Sequence, residues 1–208
     1  YNKAIEINPQ DADTYNNRGN AKFKLGDKQG AIADYNKAIE INPQYALAYN
    51  NRGLAKDDSG DYQGAIADYS KAIDINPQYA TAYNDRGNAK FKLGDRQGSI
   101  VDYNKAIQID PQYASAYSNR GIAKDELGDY QGAIADYNKE IAINPQNAAA
   151  YYNRGVVKDD LKDYQGAIID YSKAIEINPQ YANAYYNRGL AKYRSGDYQG
   201  AIADYNKA

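Results

Sequence analysis

The sequence predicts an all-α chain built as a row of antiparallel helix–turn–helix units, and three observations carry that prediction. The first is a period. The six prolines, Pro9, Pro43, Pro77, Pro111, Pro145 and Pro179, stand 34 residues apart without exception. A fixed spacing of this size marks small units that bury their apolar faces only against neighbours in a stack. The second is the apolar spacing inside each unit: Ala31, Tyr35, Ala38 and Ile39 fall at offsets 0, 4, 7 and 8, one stripe of a 3.6-residue helix. The third is punctuation, because Gly and Pro recur where helices must stop.

With the proline as position 32, the chain reads as the tail of one repeat (1–11), five full repeats (12–45, 46–79, 80–113, 114–147, 148–181) and a truncated repeat (182–208), together one array over 1–208. In each repeat a first helix carries a stripe such as Thr14, Tyr15, Gly19, Ala21 and Leu25. Leu25-Gly26-Asp27 then ends it: Gly accepts the left-handed conformation past a helix end, and Asp caps the next helix by accepting backbone N–H bonds. The second helix stops at Asn42-Pro43, since the residue before Pro avoids the helical region. All 17 glycines occupy positions 8, 15 and 19. Glycine inside a helix costs ~1 kcal/mol against alanine, so its recurrence at position 8 predicts closely approaching helices. Position 19, in the first turn of the second helix, has no sequence-level account.

Composition narrows the chemistry. Net charge is −2, from 25 basic and 27 acidic side chains, so no global field points to nucleic acid or an anionic membrane. There is no Cys and no His. This removes disulfides, thiolate zinc sites, cysteine nucleophiles, and the commonest metal ligand and general base. With only scattered serines, no nucleophile–base pair can be assembled, and neither an enzyme nor a cofactor is expected. No apolar run approaches the ~20 residues that span a bilayer. The start, Tyr1-Asn2-Lys3-Ala4-Ile5-Glu6, lacks an initiator Met and reads as the middle of a repeat, as in a piece of a longer chain. No targeting signal is legible, which leaves the cytoplasm as the default compartment.

Tyr15-Asn16-Asn17-Arg18-Gly19-Asn20-Ala21, Leu25-Gly26-Asp27 and Ala31-Ile32, Tyr35, Ala38-Ile39, Asn42-Pro43 together resemble the tetratricopeptide repeat. The family pattern has an aromatic at 4, Gly at 8, Gly-Asp at 15–16, Ala at 20, an aromatic at 24, Ala at 27 and Pro at 32. The resemblance covers the whole chain, with two recurrent departures: Arg at position 7, where the family usually has Leu, and Lys at position 11, where it usually has Tyr. It implies a right-handed superhelical solenoid whose first helices line a concave, peptide-binding groove.

Helical arithmetic independently gives the first helix two faces. Positions 3, 4, 8, 10, 11 and 14 share the packing side, and positions 2, 5, 9, 12 and 13 share the other. The second set varies between repeats and is the candidate recognition surface: Asn16, Asn20, Phe23 and Lys24; Asn50, Leu54, Asp57 and Asp58; Asn84, Asn88, Phe91 and Lys92; Ser118, Ile122, Asp125 and Glu126; Tyr152, Val156, Asp159 and Asp160; Tyr186, Leu190, Tyr193 and Arg194. Tyr and Phe are favoured interface anchors and Asn both donates and accepts. A peptide or helix with basic and apolar residues matches the acidic fourth and fifth repeats. The chaperone-tail clamp of some relatives is not expected, because position 5 never carries Lys and position 6 never carries Arg. A calcium site is not expected from the acidic pairs, since adjacent helical acids diverge by ~100°.

Arg18, Arg52, Arg86, Arg120, Arg154 and Arg188 lie on the packing side. An unpaired buried cation is costly, so each is expected to pair with the Asp at position 23 (Asp34, Asp68, Asp102, Asp136, Asp170, Asp204) and to lie on a tyrosine ring. Recurrence favours a structural staple over a phosphate-binding ladder. Most of the 24 tyrosines read as core with the hydroxyl at the rim. Two positions break the pattern: Lys162 replaces a turn glycine, and Glu140 replaces the Ala of position 27, so Glu140 must reach solvent or a cation, or the helix must shift. The junction of repeats four and five is therefore expected to be the softest. Neither end carries a polar capping helix, so head-to-tail stacking into a self-assembling array is the alternative to a groove-binding scaffold.

Overall fold

The computed structural model describes all of residues 1–208 and contains thirteen α-helices and no strand. Unit 1, Tyr1–Pro111, holds α1 (Asn2–Ile7), α2 (Ala12–Lys24), α3 (Lys28–Ile41), α4 (Ala46–Asp57), α5 (Tyr62–Ile75), α6 (Ala80–Lys92) and α7 (Arg96–Ile109). Unit 2, Gln112–Ala208, holds α8 (Ala114–Glu126), α9 (Tyr130–Ile143), α10 (Ala148–Asp160), α11 (Tyr164–Ile177), α12 (Ala182–Arg194) and α13 (Tyr198–Tyr205). Within each unit, consecutive helices pack as hairpins, and each second helix also packs on the next first helix. First helices touch one another directly: α2 meets α4, α4 meets α6, α8 meets α10, and α10 meets α12. Each unit is thus a stretch of solenoid with its first helices in one row, the fold class that the period predicts.

The punctuation works as expected. Asp27, Asp61, Asp95, Asp129, Asp163 and Asp197 each accept a hydrogen bond at 2.8–3.0 Å from the backbone N–H of the glycine three residues on. This explains the glycine at position 19. A Cβ on Gly30 would sit 2.0 Å from Asp27 Oδ2, so the capping carboxylate occupies the space a side chain would need. The glycine at position 8 accommodates a ring rather than a helix backbone, since a Cβ on Gly53 would lie 2.7 Å from the Tyr69 ring.

The turn glycines at position 15 have φ of 79–91°, and Lys162 is the one non-glycine residue with positive φ, at 63°. A side chain in this region strains the backbone. Lys162→Gly is expected to raise stability by ~1 kcal/mol, read as a higher denaturant midpoint for unit 2.

The core is small and aromatic. Tyr35, Tyr69, Tyr103, Tyr137 and Tyr171 are 1 % exposed and lie among fully buried alanines. Their hydroxyls are sealed rather than at the rim, which corrects the expectation. Tyr35 donates to Asn20 Oδ1 at 2.8 Å and Tyr103 to Asn88 Oδ1 at 2.9 Å. Burial, with Asp34 alongside, pushes the Tyr35 hydroxyl up to about 12. Position 14 departs from the packing side, with Leu25 87 % exposed at the end of α2.

The arginine staple is present in all six repeats. Asp34 accepts from Arg18 Nε at 2.8 Å and Nη2 at 2.6 Å, and from Lys22 Nζ at 2.8 Å. The same Arg–Asp–Lys set recurs at Asp68, Asp102, Asp136, Asp170 and Asp204. Each guanidinium also lies 5.4–5.5 Å from the ring centroid of the position-4 tyrosine. Arg52 Nη1 reaches back to Asn36 Oδ1 of the preceding repeat at 2.6 Å, so the staple also ties repeats together. Burial opposes ionisation of Asp34, but the Arg18 and Lys22 bonds outweigh it and hold the carboxyl below its usual range.

Glu140 reaches neither solvent nor a cation. It stays 3 % exposed, accepts a hydrogen bond from Asn147 Nδ2 at 2.7 Å and is bonded by Ser118.

Candidate functional site

The row of first helices in each unit carries the predicted recognition residues, and neighbouring repeats sort them into three groups. The first group is sealed. Asn16, Asn50 and Asn84 are 1 %, 4 % and 4 % exposed, against the expectation of an open surface. Helical phase alone put position 5 outward, but the next first helix lies over it. Asn51 Nδ2 donates to Asn16 Oδ1 at 2.9 Å. Asn84 Nδ2 donates to Asp85 Oδ1 at 3.3 Å, and Asn50 Nδ2 approaches Asp85 Oδ2 at 3.4 Å. Asn20 and Asn88 are half-buried, with their Oδ1 atoms taken by tyrosine hydroxyls. Ser118 is half-buried against Glu140.

The second group is engaged by other side chains, several of them across repeats. Lys92 Nζ meets Asp57 Oδ2 at 2.5 Å and stands 5.3 Å from the Tyr62 ring centroid. Arg194 binds Asp159. Lys28 binds Asp58 at 2.8 Å. Tyr152 accepts from Asn187 Nδ2 at 2.9 Å and stacks at 5.0 Å on Tyr181 and 5.8 Å on Tyr171. Phe91 carries Arg96 over its ring at 4.2 Å. Phe23 packs half-buried on the Ala31, Tyr35 and Ala55 cluster.

The third group faces solvent. It comprises Lys24 and Leu54 in unit 1, and Glu126, Asp160, Tyr186 and Tyr193 in unit 2. Tyr186 and Tyr193 are 54 % and 57 % exposed, and Tyr193 meets Tyr198 edge-on at 5.3 Å. Ile122, Val156, Leu190 and Asp125 are half-buried. Burial, then Asp160 and Glu126, push the Asp125 carboxyl above its usual range. Asp85 was missed by sequence reasoning; burial raises its carboxyl too, against the bonds from Asn84 and Asn50. A signal for these partners was available, because Asn16–Asn51, Asp57–Lys92, Tyr152–Asn187 and Asp159–Arg194 are each 35 residues apart, one period plus one. No group of three acidic side chains is placed to hold a metal ion, and no helix is long and apolar enough to cross a membrane.

Family models described as tetratricopeptide repeat match residues 12–45 and 34–67, and one described as TPR repeat matches 58–94, 87–124, 126–158 and 160–196. The chain belongs to the tetratricopeptide repeat family. No curated protein matches it. Among solved structures, MamA is 31 % identical with a TM-score of 0.71 over 74 % of this chain and 91 % of MamA. YrrB, described as a TPR protein with an unusual peptide-binding site, is 24 % identical with a TM-score of 0.73 over 90 % of this chain and 96 % of YrrB. PilF of Pseudomonas aeruginosa is 18 % identical with a TM-score of 0.82 over 93 % and 88 %, a likeness of fold alone. Proteins of this repeat family are protein-interaction scaffolds. In this tetratricopeptide repeat chain, the Arg and Lys that depart from the usual Leu and Tyr are accounted for by the Asp at position 23, which binds both.

Proposed function

We propose that this chain is a non-catalytic scaffold that takes a peptide or helix with basic and apolar residues along its first helices, and that unit 2 supplies the principal contact. The observation that carries the reading is the change at position 5. There the sealed asparagines of unit 1 give way to Tyr152 and Tyr186, and large rings at Tyr186 and Tyr193 stand in solvent in the unit whose first helices also expose Glu126 and Asp160. A row of first helices that exposes both tyrosines and carboxylates suits a partner with apolar anchors and cationic flanks. On the same fold, YrrB carries a peptide-binding site. The test is fluorescence anisotropy with labelled 12-residue peptides of three classes: basic–apolar, acidic–apolar and neutral. The basic–apolar class is expected to bind, and Tyr186→Ala with Tyr193→Ala to weaken it at least tenfold. Equal binding of all classes, or an unaffected double variant, would refute the reading.

Self-association is the second reading, favoured by α13. In residues 1–208, Tyr198, Ile202 and Tyr205 of α13 are 59 %, 55 % and 39 % exposed. Tyr69, the counterpart of Tyr205, is 1 % exposed beneath the next first helix. Sedimentation across a concentration series separates the two readings: stacking gives growing particles without any peptide.

A further inference from the structure

The first helices follow a charge rule that one junction breaks. An acid at position 12 is answered by a cation at position 13 of the next repeat: Asp57 by Lys92 and Asp159 by Arg194. An acid at position 13 is answered by a cation at position 17 of the preceding repeat: Asp58 by Lys28. Where repeats four and five meet in unit 2, both devices are missing. The residue placed to answer Asp125 is Asp160, and the residue placed to answer Asp160 is Tyr130. The other cations of α8 and α10 are committed elsewhere: Arg120 and Lys124 bind Asp136, and Arg154 and Lys158 bind Asp170. Arg194 adds some attraction at Asp160, but its guanidinium is held by Asp159.

We infer that Asp125 and Asp160 together receive one arginine or lysine side chain from the bound polypeptide, in the place that Lys92 fills between repeats two and three and Arg194 fills between repeats five and six. The equivalent acids show that this geometry holds an ammonium or a guanidinium at contact distance. Burial, with the like charges of Asp160 and Glu126 close by, disfavours the Asp125 carboxylate until a cation arrives. Ile122 and Val156, half-buried on the same helices, suit the methylene stem of such a side chain. For its biological occupant the inference rests on the groove reading, and it fixes where that partner's cation sits.

The test uses N-acetyl-arginine methylamide, with the citrulline analogue as its neutral twin, followed by side-chain carboxyl NMR of the 208-residue chain. The arginine probe is expected to shift the Asp125 and Asp160 carboxyl signals saturably in the millimolar range, and the citrulline probe to leave them unmoved. Asp160→Arg plants the cation that Lys92 and Arg194 supply at the equivalent position, and is expected to abolish the Asp125 response while raising the denaturant midpoint. Asp125→Asn with Asp160→Asn is expected to weaken the probe at least tenfold. Shifts at Asp57, Asp58 and Asp159 as large as those at Asp125, or an undiminished Asp125 response in Asp160→Arg, would overturn the inference. The two readings fail separately. A localised arginine response with no basic–apolar peptide bound refutes the groove alone. Peptide binding that Asp160→Arg leaves unchanged refutes this site alone.

Discussion

Asp34→Asn is expected to lower the stability of unit 1 by ~2–3 kcal/mol. Asp34 is the single acceptor between Arg18 and Lys22, and its side chain is 5 % exposed. Removing one member of a buried ion pair typically costs ~3–5 kcal/mol, because the partner is left uncompensated. The figure here is lower because Arg18 and Lys22 are 24 % and 32 % exposed and regain some water. Denaturant-linked hydrogen exchange on α2 and α3 reads the loss locally, as suits a stack whose stability is a sum over neighbours. Replacing the whole set with Arg18→Leu, Lys22→Tyr and Asp34→Ala restores the usual family residues at positions 7 and 11. That variant is expected to recover most of the loss, since a buried ion pair contributes little against well-packed apolar groups.

The pH dependence has a definite sign. The Asp34 carboxyl lies below its ordinary 3.8 in the folded chain, so its contribution is complete above that value and is lost as pH falls through the lower, folded value. The natural chain therefore loses stability on acidification in that window, and Asp34→Asn has no such contribution to lose. A difference between the two chains that stays constant down to the most acidic pH would contradict this.

The hairpin period, the Asp caps, the left-handed turn and the Arg–Asp staple were all legible in sequence. Each depends on residues close together in the chain or on a need that one side chain states for itself, as a buried guanidinium states its need for an acid. Position 5 was not legible. A helical wheel describes one cylinder, whereas the burial of Asn16 is decided by Asn51 of the next first helix. The same blindness hid the use of Asp57 and Asp159 as cross-repeat partners and left them as surface acids. The glycine at position 19 was opaque for a different reason. Its cause is the volume of a capping carboxylate, which appears only when Asp27 folds back over Gly30. Within the candidate site, the sequence placed its residues on the first helices but overestimated how many of their side chains are free.

Glu140→Ala combined with Asn147→Tyr is expected to stabilise unit 2 by ~1–3 kcal/mol, the scale of relieving a buried, incompletely bonded polar group. In the natural chain Glu140 Oε2 is buried without a hydrogen-bond partner. Burial holds the carboxyl above its ordinary 4.5 despite bonds from Ser118 and Asn147. In the other full repeats the two positions carry Ala and Tyr, as in the cluster of Ala174, Ile175 and Ala184 with Tyr181 against it. The single change Glu140→Ala removes the carboxyl but leaves Asn147 and Ser118 without their partner over a void, so it is expected to gain little. The paired change fills the void with a ring. The pH profile separates this mechanism from simple repacking. A carboxyl raised on folding makes the folded chain bind more protons than the unfolded one between 4.5 and its higher folded value, so stability falls as pH rises through that window. The natural chain should show that fall in the exchange of α9 and α10, the junction expected to open first, and the paired variant should not. Exchange protection at α9 and α10 equal to that at α11 and α12 in the natural chain, with no gain in the variant, would mean that the Ser118 and Asn147 bonds already satisfy the carboxyl.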